Sequence, residues 1–280
     1  MVVDEARFGE LMHNFAIPAA IEAGLEVMKY YRGKLAVGYK TDQSPVTDAD
    51  IAASRIIENL LSETGLPVLS EEKAMTGFEE RRQWETYWLI DPIDGTKEFI
   101  RGGSDFTINI ALIHQTVPEI GVIFAPAMSE IWFGYGSNHA FKACLLEDKT
   151  LVHIKKLPTQ NDTPGIRIVA SKSHMNARTE EFVKRISAQF GSAECLHIGS
   201  SLKFCLIAEG SANIYARLGA INEWDIAAGH AIVRAAGGHV VNINTRDELV
   251  YNTKEMKTDD FAASCHDAVL VQILDACSIQ

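Results

Sequence analysis

The sequence is short of several features that would assign a protein class at once. Its five cysteines among 280 residues are scattered, odd in number and never spaced as Cys-x-x-Cys. They therefore predict neither a disulfide framework nor a zinc site, and free thiols in a reducing cytoplasm are expected. No apolar run approaches the roughly 20 residues that a membrane-spanning helix needs. The N-terminus also shows no basic segment followed by an apolar stretch, the pattern of a signal peptide.

Positive charge is scarce as well. The chain has 26 Lys and Arg against 37 Asp and Glu, a formal net charge of −11, and no dense basic patch. Because binding to a nucleic-acid backbone needs a basic surface, bulk nucleic acid is not expected as a partner. A small phosphorylated molecule can still bind where metal ions or a few placed cations offset the charge. We expect a cytoplasmic protein; peripheral contact with the inner membrane stays open, because it needs no spanning segment, and so does the oligomeric state.

What is present is an ordinary globular composition whose pattern changes along the chain. With 47% hydrophobic residues, the chain can form one large domain or two. Helical spacing predicts helices over residues 4–32, divided at Pro18, and from about residue 48 to 65. Residues 86–143 predict an antiparallel meander, and strands and helices alternate beyond the polar linker 157–165. We therefore expect an N-terminal α+β domain (1–156) and a C-terminal α/β domain (157–280).

One segment, Asp91-Pro92-Ile93-Asp94-Gly95-Thr96, follows the apolar strand predicted over residues 87–90. It places two carboxylates and a hydroxyl on one tight turn, although such acids repel each other and are costly to bury unpaired. Pro92 fixes its own φ and Gly95 permits an unusual turn, so both carboxylates and the Ile93 carbonyl could point at one place. Converging oxygen ligands are typical of a magnesium-type site. The plain alternative is an Asp-Gly surface turn.

Two predicted helix starts add candidates for anion binding. Residues 96–99 predict a helix start whose free N–H groups suit a phosphate oxygen, and the Thr96 hydroxyl could hold an attacking water. A second helix is expected to begin with Ser200 as its N-cap and to carry Lys203 in its first turn, where the helix dipole disfavours a cation. A bound anion would explain this lysine; a lysine that reaches into solvent is the alternative.

Three motifs in this order resemble the inositol monophosphatase superfamily of magnesium-dependent, lithium-sensitive phosphatases. They are Ser70-Glu71-Glu72, Asp91–Thr96 and Trp224-Asp225-Ile226-Ala227-Ala228-Gly229, and Asp50 fits the family's upstream acidic motif. Each acid alone has a plain interpretation, as a helix's first-turn acid or a solvated loop, whereas the ordered set is specific. The resemblance implies an α+β and α/β fold, layered as an α/β/α/β/α sandwich.

The resemblance also implies a role for each matching residue. The implied metal ligands, for two or three Mg²⁺ ions, are Glu71, Asp91, Asp94, Asp225 and the Ile93 carbonyl. Asp50 and Thr96 would activate or position the water. The implied substrate contacts are Gly95, Thr96, His174, Ser200, Lys203 and Arg217.

Finer segments resemble one bacterial branch, the 3′(2′),5′-bisphosphate nucleotidases. They are residues 94–99, 171–174 and 199–205. That branch hydrolyses the 3′-phosphate of 3′-phosphoadenosine 5′-phosphate, a by-product of sulfate assimilation, to give AMP. The resemblance thus implies a magnesium-dependent phosphatase that acts on a small phosphorylated nucleotide through metal-activated water. Lys172 stands where relatives often have Arg, and Lys cannot copy a bidentate contact.

Three alternatives stay open at this point. A phosphatase of the same superfamily could act on inositol or sugar monophosphates. An aspartyl-phosphate enzyme has a related motif, but its two acids are two residues apart, whereas Asp91 and Asp94 are three apart. From outside the enzymes, a nucleotide or phosphate sensor could use the same scaffold.

Overall fold

The computed structural model describes residues 5–33, 37–39, 45–73, 75–159, 165–172, 176–191 and 193–278. The α-helices are α1 (Glu5–Leu11), α2 (Ile17–Tyr30), α3 (Asp48–Ser62), α4 (Phe78–Arg81), α5 (Thr96–Ile100), α6 (Ala177–Gln189), α7 (Leu202–Glu209), α8 (Ala227–Ala235) and α9 (Asp267–Ser278). The strands are β1 (Val37–Tyr39), β2 (Pro45–Thr47), β3 (Val68–Ser70), β4 (Thr86–Asp94), β5 (Thr107–His114), β6 (Val117–Ala125), β7 (Glu130–Tyr135), β8 (His139–Leu145), β9 (Leu151–Lys156), β10 (Ile166–Ser171), β11 (Ala193–Ile198), β12 (Ile214–Arg217), β13 (Ile221–Asn222), β14 (His239–Asn242), β15 (Lys257–Thr258) and β16 (Phe261–Ser264). A π turn spans Met12–Ala16, and 3₁₀ turns span Pro126–Met128 and Glu223–Asp225.

Two large sheets carry the architecture. The first has seven strands in chain order, from β3 to β9. All its neighbours are antiparallel except β3 and β4, which are parallel, so the predicted meander is confirmed. The second sheet has five strands in the order β11-β10-β12-β16-β14 and mixes parallel with antiparallel pairs.

The helices form layers because each sheet buries both of its faces. In β4, Trp88 and Ile90 point into the core shared with α2 and α3, whereas Tyr87 and Leu89 point into the core shared with α7 and α8. This alternation is the period-two side-chain pattern of a strand. Helices α7 and α8 lie between the two sheets, and α6 and α9 pack on the outer face of the second sheet. The α/β/α/β/α order implied by the resemblance is confirmed.

Several predicted boundaries differ from the observed ones. The first helix is continuous but passes through the π turn just before Pro18, whose missing N–H disturbs the regular ladder. Strand β9 was not predicted, because it is an edge strand without regular apolar alternation whose last four residues are exposed. Of the predicted linker, residues 160–164 lie outside the described part of the chain. The domain boundary after residue 156 stays a prediction, and the two large sheets fall on either side of it.

The central helix α8 touches strand β6 backbone to backbone. A Cβ built on Gly121 would lie only 2.1 Å from the carbonyl oxygen of Ala228. Only glycine can occupy this position without a shift of the helix or the sheet. Since α8 begins two residues after Asp225, this contact also fixes where that acid lies.

Among the described helices, none is long and apolar enough to cross a membrane.

We predict that Gly121→Ala lowers the free energy of unfolding by about 1–3 kcal/mol or more, because the added methyl group forces α8 away from the sheet. Urea denaturation of the purified variant measures this loss. Gly77→Ala is the matched control: a Cβ at Gly77 would meet no described atom within 4 Å, and its φ of −58° suits alanine. Equal unfolding midpoints for the two variants would contradict the prediction.

Candidate functional site

A cleft of about 340 Å³ opens at the ends of strands β4, β10 and β12 and at the starts of helices α5 and α7. Ten of the residues predicted from the sequence line it: Glu71, Asp91, Ile93, Asp94, Gly95, Thr96, Ser200, Lys203, Arg217 and Asp225. Asp50 lies behind Thr96 and contacts its hydroxyl. His174 lies outside the described residues.

Three carboxylates converge on one side of this cleft. Glu71, Asp91 and Asp225 each offer an oxygen, and these oxygens lie within 4.8 Å of one another. Glu71 and Asp91 are neighbours because β3 and β4 run parallel, and the Glu71 N–H donates to the Ile90 carbonyl at 3.2 Å. Asp225 reaches them from the 3₁₀ turn that precedes α8. The cluster therefore depends on the contact between the first sheet and the central helix layer.

The segment after residue 90 is not the tight turn expected from the sequence. Strand β4 continues to Asp94 through an irregularity: Asp91 pairs with Asn109 and Asp94 pairs with Thr107. Inside it, the Ile93 N–H donates to Asp91 Oδ1 at 3.1 Å. The expected role of Gly95 does hold, because its φ is +94° and a Cβ there would lie 2.7 Å from the Asp105 carbonyl oxygen. A β-bulge thus redirects the side chains between Asp91 and Asp94, which a regular strand would place on alternate faces of the sheet.

Burial and mutual repulsion make this cluster costly without a cation. Burial raises the pKa of Asp91 well above its usual range, and the nearby Glu71 and Asp94 carboxylates raise it further. The pKa of Asp225 is raised well above its usual range by burial first and by Asp94 and Glu71 next. Since oxygen ligands with excess negative charge suit hard divalent cations, the residues present fit a metal of that kind.

Asp94 is held by two residues that the sequence did not single out. The Ser201 hydroxyl lies 2.8 Å from Asp94 Oδ2, and Asn109 Nδ2 lies 3.4 Å from the same oxygen. Burial raises the pKa of Asp94, whereas Lys203, Ser201 and Asn109 oppose that rise. A signal was present for Asn109, since it interrupts an apolar strand as a buried amide. Ser201 lies inside residues 199–205, which resemble the bisphosphate nucleotidases, but the sequence alone predicts no role for it.

The predicted partnership of Asp50 with Thr96 has a geometric basis. Thr96 Oγ1 lies 3.4 Å from Asp50 Oδ1 and 3.1 Å from the Ile93 carbonyl oxygen. The other oxygen of Asp50 accepts hydrogen bonds from the Thr47 N–H at 2.7 Å and the Thr47 hydroxyl at 2.6 Å. Asp50 therefore stabilises the start of helix α3 with one oxygen and faces Thr96 with the other. Its place in the first turn of the helix does not exclude a role at the site, which stays a prediction.

The start of helix α7 differs from the prediction. Ser201, not Ser200, is the N-cap residue, and Ser200 has a left-handed φ of 48°. This conformation lets the Ser200 carbonyl accept a hydrogen bond from the Lys203 ammonium group. Lys203 is buried, so the alternative of a lysine in solvent is wrong. Burial lowers the pKa of Lys203, while the Asp94 and Asp225 carboxylates raise it. The protein's own carboxylates thus account for the cation in the first turn.

Further cations line the same cleft as the carboxylates. Arg217 ends strand β12, and Lys97 lies in the short helix α5. Lys257, which the sequence did not single out, comes from β15 and pairs with Asn222 of β13. No motif marks Lys257, because only strand pairing brings it near Asp225. Lys172 instead forms an ion pair with Asp105 at 3.2 Å, so its positive charge is shared with the protein.

A carboxylate cluster and several basic side chains in one cleft define a metal-binding protein whose cleft suits a phosphorylated ligand. A sequence model described as the inositol monophosphatase family matches residues 10–276. The chain is 43% identical over 226 residues to the 3′(2′),5′-bisphosphate nucleotidase CysQ of Shigella flexneri; the match covers 79% of this chain and 86% of that relative. The chain belongs to the inositol monophosphatase family, whose members are metal-dependent.

Solved structures agree with this assignment. CysQ from Bacteroides thetaiotaomicron, a bacterial member of the inositol monophosphatase family, is 36% identical, with a TM-score of 0.81 over 90% of this chain and 96% of that chain. The IMPase of Thermotoga maritima has a TM-score of 0.71 at 22% identity, over 94% of this chain and 96% of that chain. The second similarity shows the shared fold alone.

We predict that Asp91→Asn removes most of the stabilisation that Mg²⁺ gives. In EDTA the variant should melt at or above the wild-type temperature, because one repelling charge is gone. With Mg²⁺ at about 100 times its Kd, the wild type should gain about 2.7 kcal/mol by mass action, and the variant far less. Thermal unfolding with and without Mg²⁺ measures both effects. Asp259→Asn, at an exposed position, is the control; an unchanged Mg²⁺ shift in Asp91→Asn would refute the prediction.

Proposed function

We propose that this protein is a magnesium-dependent 3′(2′),5′-bisphosphate nucleotidase that converts 3′-phosphoadenosine 5′-phosphate and water into AMP and phosphate. The observation that carries the proposal is the cleft itself, which is lined both by the carboxylate cluster and by Lys97, Arg217 and Lys257. A ligand with two phosphates needs positive charge at two places. Bound cations would supply it at the carboxylates, and the basic side chains of the cleft would supply it for the second phosphate.

The carboxylates fit the metal that this function requires. Glu71, Asp91 and Asp225 would hold Mg²⁺ together with Asp94 and the Ile93 carbonyl, in a site for two or three ions. When bound, the ions would neutralise charge on the transferring phosphoryl group and orient its oxygens. Asp94, held by Ser201 and Asn109, presents its carboxylate in a fixed direction.

Asp50 and Thr96 would position the attacking water. When Asp50 Oδ1 accepts the Thr96 proton, a lone pair on Thr96 Oγ1 is free to accept a hydrogen bond from water. Thr96 and Asp50 together offer a route for the water's proton towards the Asp50 carboxylate, while the oxygen of the water attacks phosphorus. The bond from phosphorus to the ribose 3′-oxygen then breaks, and that oxygen takes up a proton to leave as an alcohol. Overall, one proton of the water remains with the phosphate and the other is passed on to the alcohol.

The remaining predicted contacts would bind the rest of the nucleotide. Ser200 and Arg217 line the cleft beyond the carboxylates, and Lys257 joins them there. Lys203 contributes through its position against Asp94, because its ammonium group already donates to the Ser200 carbonyl. The role of His174, the number of ions and the cytoplasmic location stay predictions from the sequence, and so does the two-domain division.

A substrate panel tests the proposal. We predict that kcat/KM for 3′-phosphoadenosine 5′-phosphate exceeds that for inositol 1-phosphate by at least about tenfold, which corresponds to about 1.4 kcal/mol. The opposite order would support the inositol phosphatase alternative. Binding of the bisphosphate without any hydrolysis at saturating Mg²⁺ would support the sensor.

The Arg217→Met variant sharpens this comparison. Loss of a charge-assisted contact should lower kcat/KM for the bisphosphate by about tenfold to a hundredfold. The value for 3′-AMP, which lacks the second phosphate, should change little. A similar loss on both nucleotides would contradict a role of Arg217 at the second phosphate.

We predict that Asp50→Asn lowers kcat by about 10²–10⁴-fold with little change in KM, because an amide cannot take up the proton that Thr96 would relay from the water. Steady-state kinetics with saturating Mg²⁺ measures this. Thr47→Val is the matched control, since it removes a hydrogen bond to the other Asp50 oxygen and spares Thr96. It should cost about 1 kcal/mol of stability and keep kcat. If Asp50→Asn loses activity only in proportion to its unfolded fraction, as an unstable control would, the assignment fails.

A further inference from the structure

One buried hydroxyl joins the two halves of the carboxylate cluster. Ser201 Oγ lies 2.8 Å from Asp94 Oδ2, 2.7 Å from the Asp225 carbonyl oxygen and 2.9 Å from Asn109 Nδ2. Asp94 belongs to β4, Asn109 to β5 and Ser201 to the start of α7, while Asp225 directly precedes α8. Four separate elements therefore meet at a single oxygen atom.

The hydrogen-bond roles at this oxygen follow from the chemistry of its partners. An amide NH₂ group can only donate, so Ser201 Oγ accepts from Asn109 and gives its one proton to Asp94 or to the Asp225 carbonyl. A flipped Asn109 amide would instead turn its oxygen towards the Asp94 carboxylate, and two acceptors repel. The cost of the present orientation is visible: Asn109 Oδ1 is buried with no hydrogen-bond partner among the described residues.

An unpaired buried polar atom is tolerated when another atom of the same side chain forms a hydrogen bond that would be more costly to lose. Here the partner in that bond is the Asp94 carboxylate, which is partly buried at the edge of the cleft. Only about 1% of each of Ser201 and Asn109 is exposed, so solvent cannot replace either donor. The pair thus determines how the Asp94 carboxylate is turned and how far it lies from the Asp225 backbone.

We propose that Ser201 and Asn109 are positioning residues for the metal centre. By bonding Asp94 and the Asp225 main chain together, they keep ligands from β4 and from the segment before α8 at the spacing that a divalent cation needs. The inference rests on the proposed function only in taking Asp94 and Asp225 as metal ligands. Partners that orient a ligand in this way typically change metal affinity by 10–100-fold when they are lost.

A purely structural role for the pair predicts a different result. Loss of a buried hydrogen bond would then lower stability and leave the affinity for cations unchanged. Ser264 provides the matched control, because it is also about 1% exposed and its hydroxyl donates to the Asn213 carbonyl at 2.8 Å. Its bond lies in the second sheet, outside the cleft lining.

The test is calorimetric titration of Mg²⁺ into the full-length protein without substrate. We expect Ser201→Ala and Asn109→Leu each to raise the Kd for Mg²⁺ about tenfold or more. Their double variant should show less than the summed effect, because both act on one carboxylate. Ser264→Ala should lower the melting temperature and keep the wild-type Kd.

If Ser201→Ala is too unstable to titrate, Ser201→Cys can replace it, because a thiol keeps the shape of the side chain but is a weaker hydrogen-bond donor. This variant is also expected to raise the Kd for Mg²⁺. Wild-type Kd values in the Ser201 and Asn109 variants, with a loss of stability like that of Ser264→Ala, would overturn the inference. Because the titration contains no nucleotide, a wrong substrate assignment would leave its result intact. Conversely, unchanged affinities beside rapid bisphosphate hydrolysis would refute the positioning role alone.

Discussion

The repulsion among Glu71, Asp91 and Asp225 is the constraint on which the rest of this structure depends. Three carboxylates within 4.8 Å of one another would separate in a flexible chain, and burial adds a desolvation cost to each charge. The protein keeps them together because each is attached to an element that cannot move freely. Glu71 follows β3, Asp91 lies in the parallel neighbour β4, and Asp225 precedes a helix packed between two sheets. Folding therefore prepares a cation site whose full stability needs the cation.

Close packing of small residues provides the rigidity. Gly121 lets α8 lie against β6, and a Cβ at Gly229 would come within 2.4 Å of the Phe204 ring on α7. Because Ser201 caps α7 and α8 follows Asp225, these two approaches set the spacing between the Ser201 hydroxyl and Asp225, which we propose as a positioning group and a metal ligand. A second buried network holds the residue before Glu71: the Ser54 hydroxyl lies 2.8 Å from that of Ser70 and donates to Glu58 at 2.7 Å. The packing that stabilises the layers thus also places the ligands.

The basic side chains near the site lie at two depths, one buried and the others along the cleft. Lys203 is buried beside Asp94 and offsets part of the cluster's charge from within the protein. Lys97, Arg217 and Lys257 line the cleft, where an incoming phosphate can reach them. An acidic chain with a net charge of −11 can therefore bind a highly anionic ligand, because the few basic side chains near the site make the local electrostatic potential in the cleft more positive.

The sequence by itself determined the meander and the segments that carry the acids, since strand alternation, helix spacing and turn residues act over only a few positions. The layered fold was implied only by the resemblance of the ordered motifs to a known family. The sequence did not determine the bulge that extends β4 to Asp94, the N-cap at Ser201, or the parts played by Asn109 and Lys257. Those depend on contacts between distant segments: Ser201 meets Asp94 across 107 positions, and Thr96 meets Asp50 across 46. A local pattern can show that an acid or a hydroxyl follows a strand. Only the packing of sheets and helices decides which of them share one point in space.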